Sequence, residues 1–204
     1  MIRIVRLVAA FAALTTGLTV FGRPANMEKA TSAAPVPTAD QAVIEFMRPS
    51  KMGGAIRCAV FDVTDAEPRL LGILTPKDKL VVAAPAGRRL YMITGENADF
   101  MEADLVAGKT FRVIAIARMG AWKARFSLIP LKKHPGEDEW ALDGKKAAEW
   151  IKICRHVTMT PAAATWYTDN RPSILKKRDA YLPKWNEMNE SLKQYRRLVA
   201  EDGQ

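Results

Sequence analysis

Cysteine and histidine are scarce in this sequence. Two of each occur among 204 residues, namely Cys58, Cys154, His134 and His156. Only Cys154 and His156 stand at short spacing, whereas a structural zinc site of this type needs two such pairs, so no metal centre is expected. Phosphate-cradling glycines, a nucleophile elbow, a catalytic cysteine–histidine signature and a zinc-protease helix are also missing. The sequence therefore predicts no catalytic, metal-binding or cofactor-binding residues.

Charge of one sign is not concentrated anywhere along the chain. The formal net charge is +9, but the basic residues are spread out, and a nucleic-acid binder would gather them in a stripe with interleaved aromatics. Nucleic acid is therefore not an expected partner, and a mildly basic surface suits anionic envelope polymers or lipids. Glu102 and Asp104 share one face of a predicted strand and could form a hydrolytic carboxylate pair. Solvated strand charges are the commoner case.

The first 22 residues have the pattern of a signal peptide or N-terminal anchor. Arg3 and Arg6 precede an apolar run over 7–21, which matches a secretory signal and is short for a membrane span. Cleavage after Gly22 and an uncleaved anchor in the inner membrane both remain open. Because no cysteine lies nearby, attachment by an N-terminal lipid is not expected.

A segment without apolar periodicity follows at 23–39. It is rich in alanine, proline, threonine and serine, and such a composition cannot pack a core. We expect a disordered tether that holds a folded domain away from a membrane surface.

From residue 40 to residue 131 the pattern predicts an antiparallel β-sandwich of seven to eight strands. Short apolar runs alternate with turn residues at intervals of about 8 to 12 residues, which is typical of sandwich strands. The run 110–118 has one apolar and one mixed face, which predicts that another part of the chain partly covers it. The predicted strands are 42–47, 55–63, 69–74, 78–83, 88–94, 98–105, 110–118 and 122–129.

Several turn-and-strand sequences in this region carry a family resemblance. They are "PAG" at 85–87, "LVAGKTF" at 105–111, and the opening strand "AVIEFMRPS" with Arg48 and Pro49. In these, the segment of about 40–131 resembles bacterial envelope and lipoprotein β-sandwich domains of unknown function, similar to the carbohydrate-binding-like PEGA repeats. The resemblance implies a sandwich fold and an envelope location and brings no catalytic residues. Many such relatives carry a lipidated cysteine, which this sequence lacks.

After residue 143 the apolar spacing becomes helical and predicts an α-helical extension over 143–204 packed against the sandwich. Thr160 followed by Pro161 predicts a helix start. Pro172 is expected to begin the next helix and Pro183 to interrupt it. The first predicted helix carries four residues on one face: Ala147, Trp150, Ile151 and Cys154.

Beyond Pro183 an apolar stripe steps by three and four residues. Two interpretations remain open for it. It is a surface for a partner or for self-association, or it docks on the chain's own sandwich and covers the mixed face of 110–118. The stripe consists of Trp185, Met188, Leu192, Tyr195 and Val199.

The two cysteines allow one intramolecular disulfide in an exported chain. Cys58 lies within a predicted strand and Cys154 on an apolar helix face, so a docked helix could bring them together. Alternatively, both are buried thiols that pack as small apolar side chains.

These features predict a non-enzymatic protein of the periplasm or cell envelope. It is either released after export or anchored through residues 7–21, and it is not lipidated. The expected partner is an envelope protein or an anionic envelope polymer, bound through loops or exposed strand edges. The alternative is an envelope hydrolase acting on glycan or peptide, which requires a deep cleft lined by convergent polar groups.

Overall fold

The computed structural model describes residues 25–118 and 125–204. The predicted signal peptide or anchor over 1–22 lies outside the described residues. Within them, the chain is mainly β, as predicted. The strands are β1 (Met27–Lys29), β2 (Gln41–Arg48), β3 (Cys58–Asp62), β4 (Arg69–Leu74), β5 (Asp78–Pro85), β6 (Gly87–Thr94), β7 (Ala98–Leu105), β8 (Thr110–Arg118), β9 (Arg125–Pro130), β10 (Arg155–Met159) and β11 (Arg197–Leu198).

The described residues also form three α-helices: α1 (Lys145–Ile153), α2 (Pro161–Asn186) and α3 (Glu190–Tyr195). Short 3-10 turns stand at Asp138–Trp140 and Ala200–Asp202. No helix in the described part of the chain is both long and apolar enough to cross a membrane.

The strands form two sheets, and both sheets are mixed. The first has six strands in the order β1-β10-β5-β2-β8-β9, and the second has five in the order β11-β7-β6-β3-β4. Three neighbouring pairs run parallel, namely β2 with β8, β5 with β10 and β7 with β11. The prediction of a purely antiparallel sandwich of seven to eight strands was therefore wrong in strand direction and number. Turn spacing fixes direction only between consecutive strands, whereas the parallel partners are far apart in sequence.

The main core lies between the two sheets. Residues of alternating positions along each strand point inward, as the pleat requires. Ile44 and Phe46 of β2 meet Tyr91 of β6 across this layer, with the Phe46 and Tyr91 ring centroids 5.2 Å apart. Cys58 lies in the same layer.

Each sheet is also covered on its outer face by helix. Under α2, a second cluster joins Phe61 and Phe100 of the five-stranded sheet to Trp185. On the six-stranded sheet, Ile114 of β8 packs with Ala147 of α1. The fold therefore has four layers, helix, sheet, sheet and helix. The mixed face of 110–118 is covered as expected, but by α1 and not by the stripe after Pro183.

The terminal segments depart from the predicted boundaries. Met27–Lys29, inside the predicted tether, forms an edge strand paired with β10. β10 and β11 lie inside the predicted helical extension. Helix α2 continues through Pro172 and Pro183 without a break, so these prolines neither begin nor interrupt a helix.

Candidate binding cleft

The start of α2 and the edge strand β1 are held together by hydrogen bonds. Thr160 precedes α2 and Pro161 is its first residue, as predicted from the sequence. The Thr160 backbone N–H donates to the Asn26 carbonyl at 3.0 Å, and its hydroxyl donates to the Ala25 carbonyl at 2.6 Å. Because the hydroxyl bonds to β1 instead of capping its own helix, the first turns of α2 stand beside the strand.

A cleft of about 640 Å³, here called the main cleft, opens between these two elements. Asn26 and Glu28 line one side, and Arg57 reaches it from the connection between β2 and β3. Trp166 lines it from the helix and is half-buried, since it also packs on the cluster under α2. The helical wall consists of Ala162, Thr165, Trp166 and Asp169, which share one face because they follow helical spacing.

Two smaller cavities adjoin the main cleft. One, of about 440 Å³, shares Thr160 with it and lies between α2 and the loop before β4, where Glu67 and Tyr167 line it. The other, of about 360 Å³, here called the edge groove, shares Asn26, Glu28 and Arg57 with the main cleft. All three therefore lie around β1 and the start of α2.

The charged groups of the main cleft are unpaired within the described part of the chain. Arg57, Glu28 and Asp169 form no ion pair with any residue of 25–118 or 125–204. In the edge groove, by contrast, Arg155 Nε donates to Asp78 at 2.7 Å. The hydrogen bond to Asp78 raises the pKa of Arg155, so that pair is already satisfied.

The second cavity is bordered by a charged contact between a loop and the helix. Arg171 donates to both carboxylate oxygens of Glu67, at 2.7 and 2.6 Å, and the Tyr167 hydroxyl donates to Glu67 at 2.8 Å. These bonds, first those from Arg171, lower the pKa of Glu67 to about 2. The contact fixes the wall of the cavity and leaves Glu67 ionised at neutral pH.

Cys58 and Cys154 are both free thiols, so the disulfide that the sequence allowed is not formed. Cys58 lies between the sheets with Phe46, whereas Cys154 lies under α1 with Met47. Adjacent strand residues point to opposite faces, so the six-stranded sheet separates the two sulfur atoms. Burial raises the pKa of Cys58 to about 12 and that of Cys154 to about 11, which keeps both thiols protonated.

The apolar stripe after Pro183 does not form a single helical face. Trp185 is buried against Phe100, with ring centroids 6.2 Å apart, and Met188 also packs on the cluster under α2. Leu192 and Tyr195 lie on the separate helix α3 and are 59% and 37% exposed, while Val199 precedes the last 3-10 turn. Two of the five stripe residues therefore dock on the chain itself, and a role for the exposed Leu192 and Tyr195 remains a prediction.

The other candidate residues do not assemble a site. Glu102 accepts from Arg197 at 2.7 Å, and Asp104 lies 3.4 Å from Arg88, so both carboxylates belong to strand ion pairs. Within 25–118 and 125–204, no group of histidine, cysteine and carboxylate side chains is arranged to hold a metal ion.

The sequence signals for the main cleft were incomplete. The start of α2 was predicted, which places Trp166 on its first turns. β1 was missed because three residues, Met27–Lys29, carry no periodic signal. Arg57 was missed because an exposed arginine in a connection has no distinguishing pattern.

No protein-family model matches the chain, and comparison with curated proteins gives no match. The resemblance to PEGA-like envelope domains therefore stays a prediction.

Proposed function

We propose that this chain is a non-enzymatic exported envelope protein that binds a protein or an envelope polymer, with the main cleft as its binding site. The observation that carries the proposal is the composition of that cleft. It joins a half-buried indole to an amide, two carboxylates and a guanidinium, and its volume falls in the range of about 300–1,000 Å³ of ligand sites. The signal-like pattern of 1–22 and the basic surface support the envelope location.

The neighbouring cavities favour an elongated ligand. Because the main cleft shares lining residues with both smaller cavities, a chain-like molecule bound in it can also contact residues of the other two. Trp166 offers a flat apolar face with an N–H donor, while Arg57 and Asn26 offer hydrogen-bond donors to sugar or amide oxygens.

The test compares retention of variants on sedimented envelope material from the cells that make the protein. Trp166→Ala and Arg57→Ala are each expected to weaken retention at least tenfold, while Val106→Ala, at an exposed residue that lines none of the three cavities, stays within twofold of the parent. Circular dichroism confirms that the variants are folded. Equal retention of all four proteins would contradict the assignment of the cleft, and recovery of the parent in the cytoplasm with residues 1–22 intact would contradict export.

One observation favours the alternative of an envelope hydrolase. Glu28 and Asp169 line the same cleft, and paired carboxylates can act as acid and base in glycan hydrolysis. Release of soluble fragments from envelope glycan or peptide, lost in both Glu28→Gln and Asp169→Asn, would establish the hydrolase and overturn the non-enzymatic proposal.

A further inference from the structure

The edge groove borders β1, and its lining includes the five consecutive residues 25–29. Val157 of β10, Asp78 of β5 and Ile73 of β4 line it as well, so it extends from β1 over the sheet face that is turned toward β4. β1 is the outermost strand of its sheet, and no strand within 25–118 and 125–204 pairs with its second edge.

The hydrogen-bond pattern shows which backbone groups of β1 point away from β10. The Asn26 carbonyl accepts from the Thr160 N–H, and the Ala30 N–H donates to the His156 carbonyl, both at 3.0 Å. Glu28 lies opposite Thr158 in the same register. In an antiparallel pair, alternate residues bond to the partner, so the N–H and C=O groups of Met27 and Lys29 face outward. Among the described residues they have no hydrogen-bond partner.

The side chains around the groove define the chemistry of a ligand. Met27 and Ile73 supply apolar contacts, and the Ile73 N–H donates to Met27 Sδ at 3.4 Å. Lys29 and Arg57 are exposed cations without an ion pair among the described residues.

Two carboxylates complete the lining. Asp78 is satisfied by Arg155, which leaves Glu28 as the one unpaired carboxylate among the lining residues. Apolar contact beside an excess of positive charge fits a strand in which apolar and acidic residues alternate.

We infer that the free edge of β1, where it borders the edge groove, binds an extended acidic segment of a partner protein, which adds as a further strand beside β1. The outward N–H and C=O groups of Met27 and Lys29 supply the backbone bonds, and Arg57 and Lys29 select acidic side chains. Exposed strand edges pair readily with added chains, and strand addition is an established mode of peptide recognition. This inference rests on the proposed binding function and specifies its ligand as a peptide.

The probe is an end-capped hexapeptide of alternating valine and glutamate, compared with the same peptide carrying glutamine. Hydrogen exchange of the full chain, followed by NMR, is expected to slow at least tenfold at the Met27 and Lys29 amides when the acidic peptide is bound. The Glu28 amide, already bonded to β10, is expected to change little. If saturating acidic peptide slows hydrogen exchange only at other amides, or at none, the inference is overturned.

A matched pair of variants isolates the backbone bond from the charge. Lys29→Ala removes the ammonium, and Lys29→Pro removes the ammonium together with an N–H that β10 does not use; proline is tolerated on strand edges. Binding of the acidic peptide is expected to be at least fivefold weaker in Lys29→Pro than in Lys29→Ala. Equal binding by the two folded variants would overturn the inference.

Envelope retention and peptide binding, measured together, distinguish a failure of this inference from a failure of the proposed function on which it rests. If envelope retention depends on Trp166 but the peptide is not bound, the peptide inference fails and the proposed function stands. If the peptide binds with slowed exchange at Met27 and Lys29 while retention ignores Trp166, the edge groove is supported and the main cleft is not the site.

Discussion

At the scale of single residues, Arg48 is the most unusual buried group. Only 1% of its surface is exposed, and its guanidinium lies 4.7 Å from the centroid of the Phe126 ring. Burial lowers its pKa, yet the hydrogen bonds keep the charge in place, since arginine remains protonated in proteins. It donates to four backbone carbonyls, those of Ile56 and Leu74 at 3.0 Å, Gly53 at 2.7 Å and Met52 at 3.3 Å.

The position of Arg48 explains why a long connection between the two sheets is ordered. Residues 49–57 leave β2 and enter β3 in the other sheet, and they contain little secondary structure that could satisfy their carbonyl groups. Arg48 supplies those bonds from the end of β2. It thereby also positions Arg57, at the end of the same connection, beside the main cleft.

Replacing Arg48 with methionine is expected to lower the free energy of unfolding by about 1–3 kcal/mol, because the buried Leu74 carbonyl loses the guanidinium as a donor and a buried carbonyl left without a donor costs about that much. Urea unfolding of the purified chain measures the change. Arg57→Met is the matched control: Arg57 is exposed and unpaired among the described residues, so a change within about 0.5 kcal/mol is expected. A loss below about 1 kcal/mol in Arg48→Met would contradict the structural role.

At the scale of elements, the eleven-residue spacing of buried residues in helix α2 explains how this long helix can contain two internal prolines. The buried residues Ala163, Ile174 and Trp185 recur every eleven positions, and so do Pro161, Pro172 and Pro183. Eleven residues make three helical turns, so the buried set lies on one face and Pro172 and Pro183 stay in solvent. Packing on the five-stranded sheet outweighs the bond that each internal proline removes.

The contact between Glu67 and α2 predicts a pH-dependent contribution to stability. The pKa of Glu67 is lowered from 4.5 to about 2 in the folded chain, so its stabilising effect is fully present above about pH 4.5 and is lost as the pH falls toward 2. Urea midpoints of the parent and Glu67→Gln are expected to differ by a constant amount from pH 5.5 to 7. The difference is expected to shrink below pH 4.5, and a difference that grows on acidification would contradict the assignment.

The sequence predicted those elements whose signal is local. All eight strands from β2 to β9 overlap the predicted strands, because alternation and turn residues mark them, whereas the five-residue strand β10 was missed inside the predicted helical extension. β1 and β11, of three and two residues, exist only through their partners, so no periodicity could reveal them. The same limit applied to the main cleft: Thr160 and Pro161 marked the helix start, but the strand opposite carried no signal.

At the scale of the whole molecule, the last residues join the two sheets. Leu198 of β11 is fully buried and pairs in parallel with β7 of the five-stranded sheet. A few residues later, Gln204 exchanges backbone hydrogen bonds of 2.7 and 3.0 Å with Thr110 on β8 of the six-stranded sheet. Between them, Asp202 accepts from the Lys133 N–H at 2.9 Å. The segment 197–204 therefore closes one side of the sandwich, on which β7 and β9 also meet.

Removal of residues 197–204 is accordingly expected to destabilise the entire sandwich. Burial of a leucine contributes about 1.5–3 kcal/mol, and the deletion also exposes the edge of β7 and leaves Glu102 without Arg197. We expect the free energy of unfolding to fall by about 3 kcal/mol or more, with urea transitions followed by tryptophan fluorescence and circular dichroism shifting together because both sheets share one core. Leu192→Ala, on the exposed side of α3, is the control and is expected to change stability by less than about 0.5 kcal/mol. A truncated chain within about 1 kcal/mol of the parent would show that the sandwich closes without this segment.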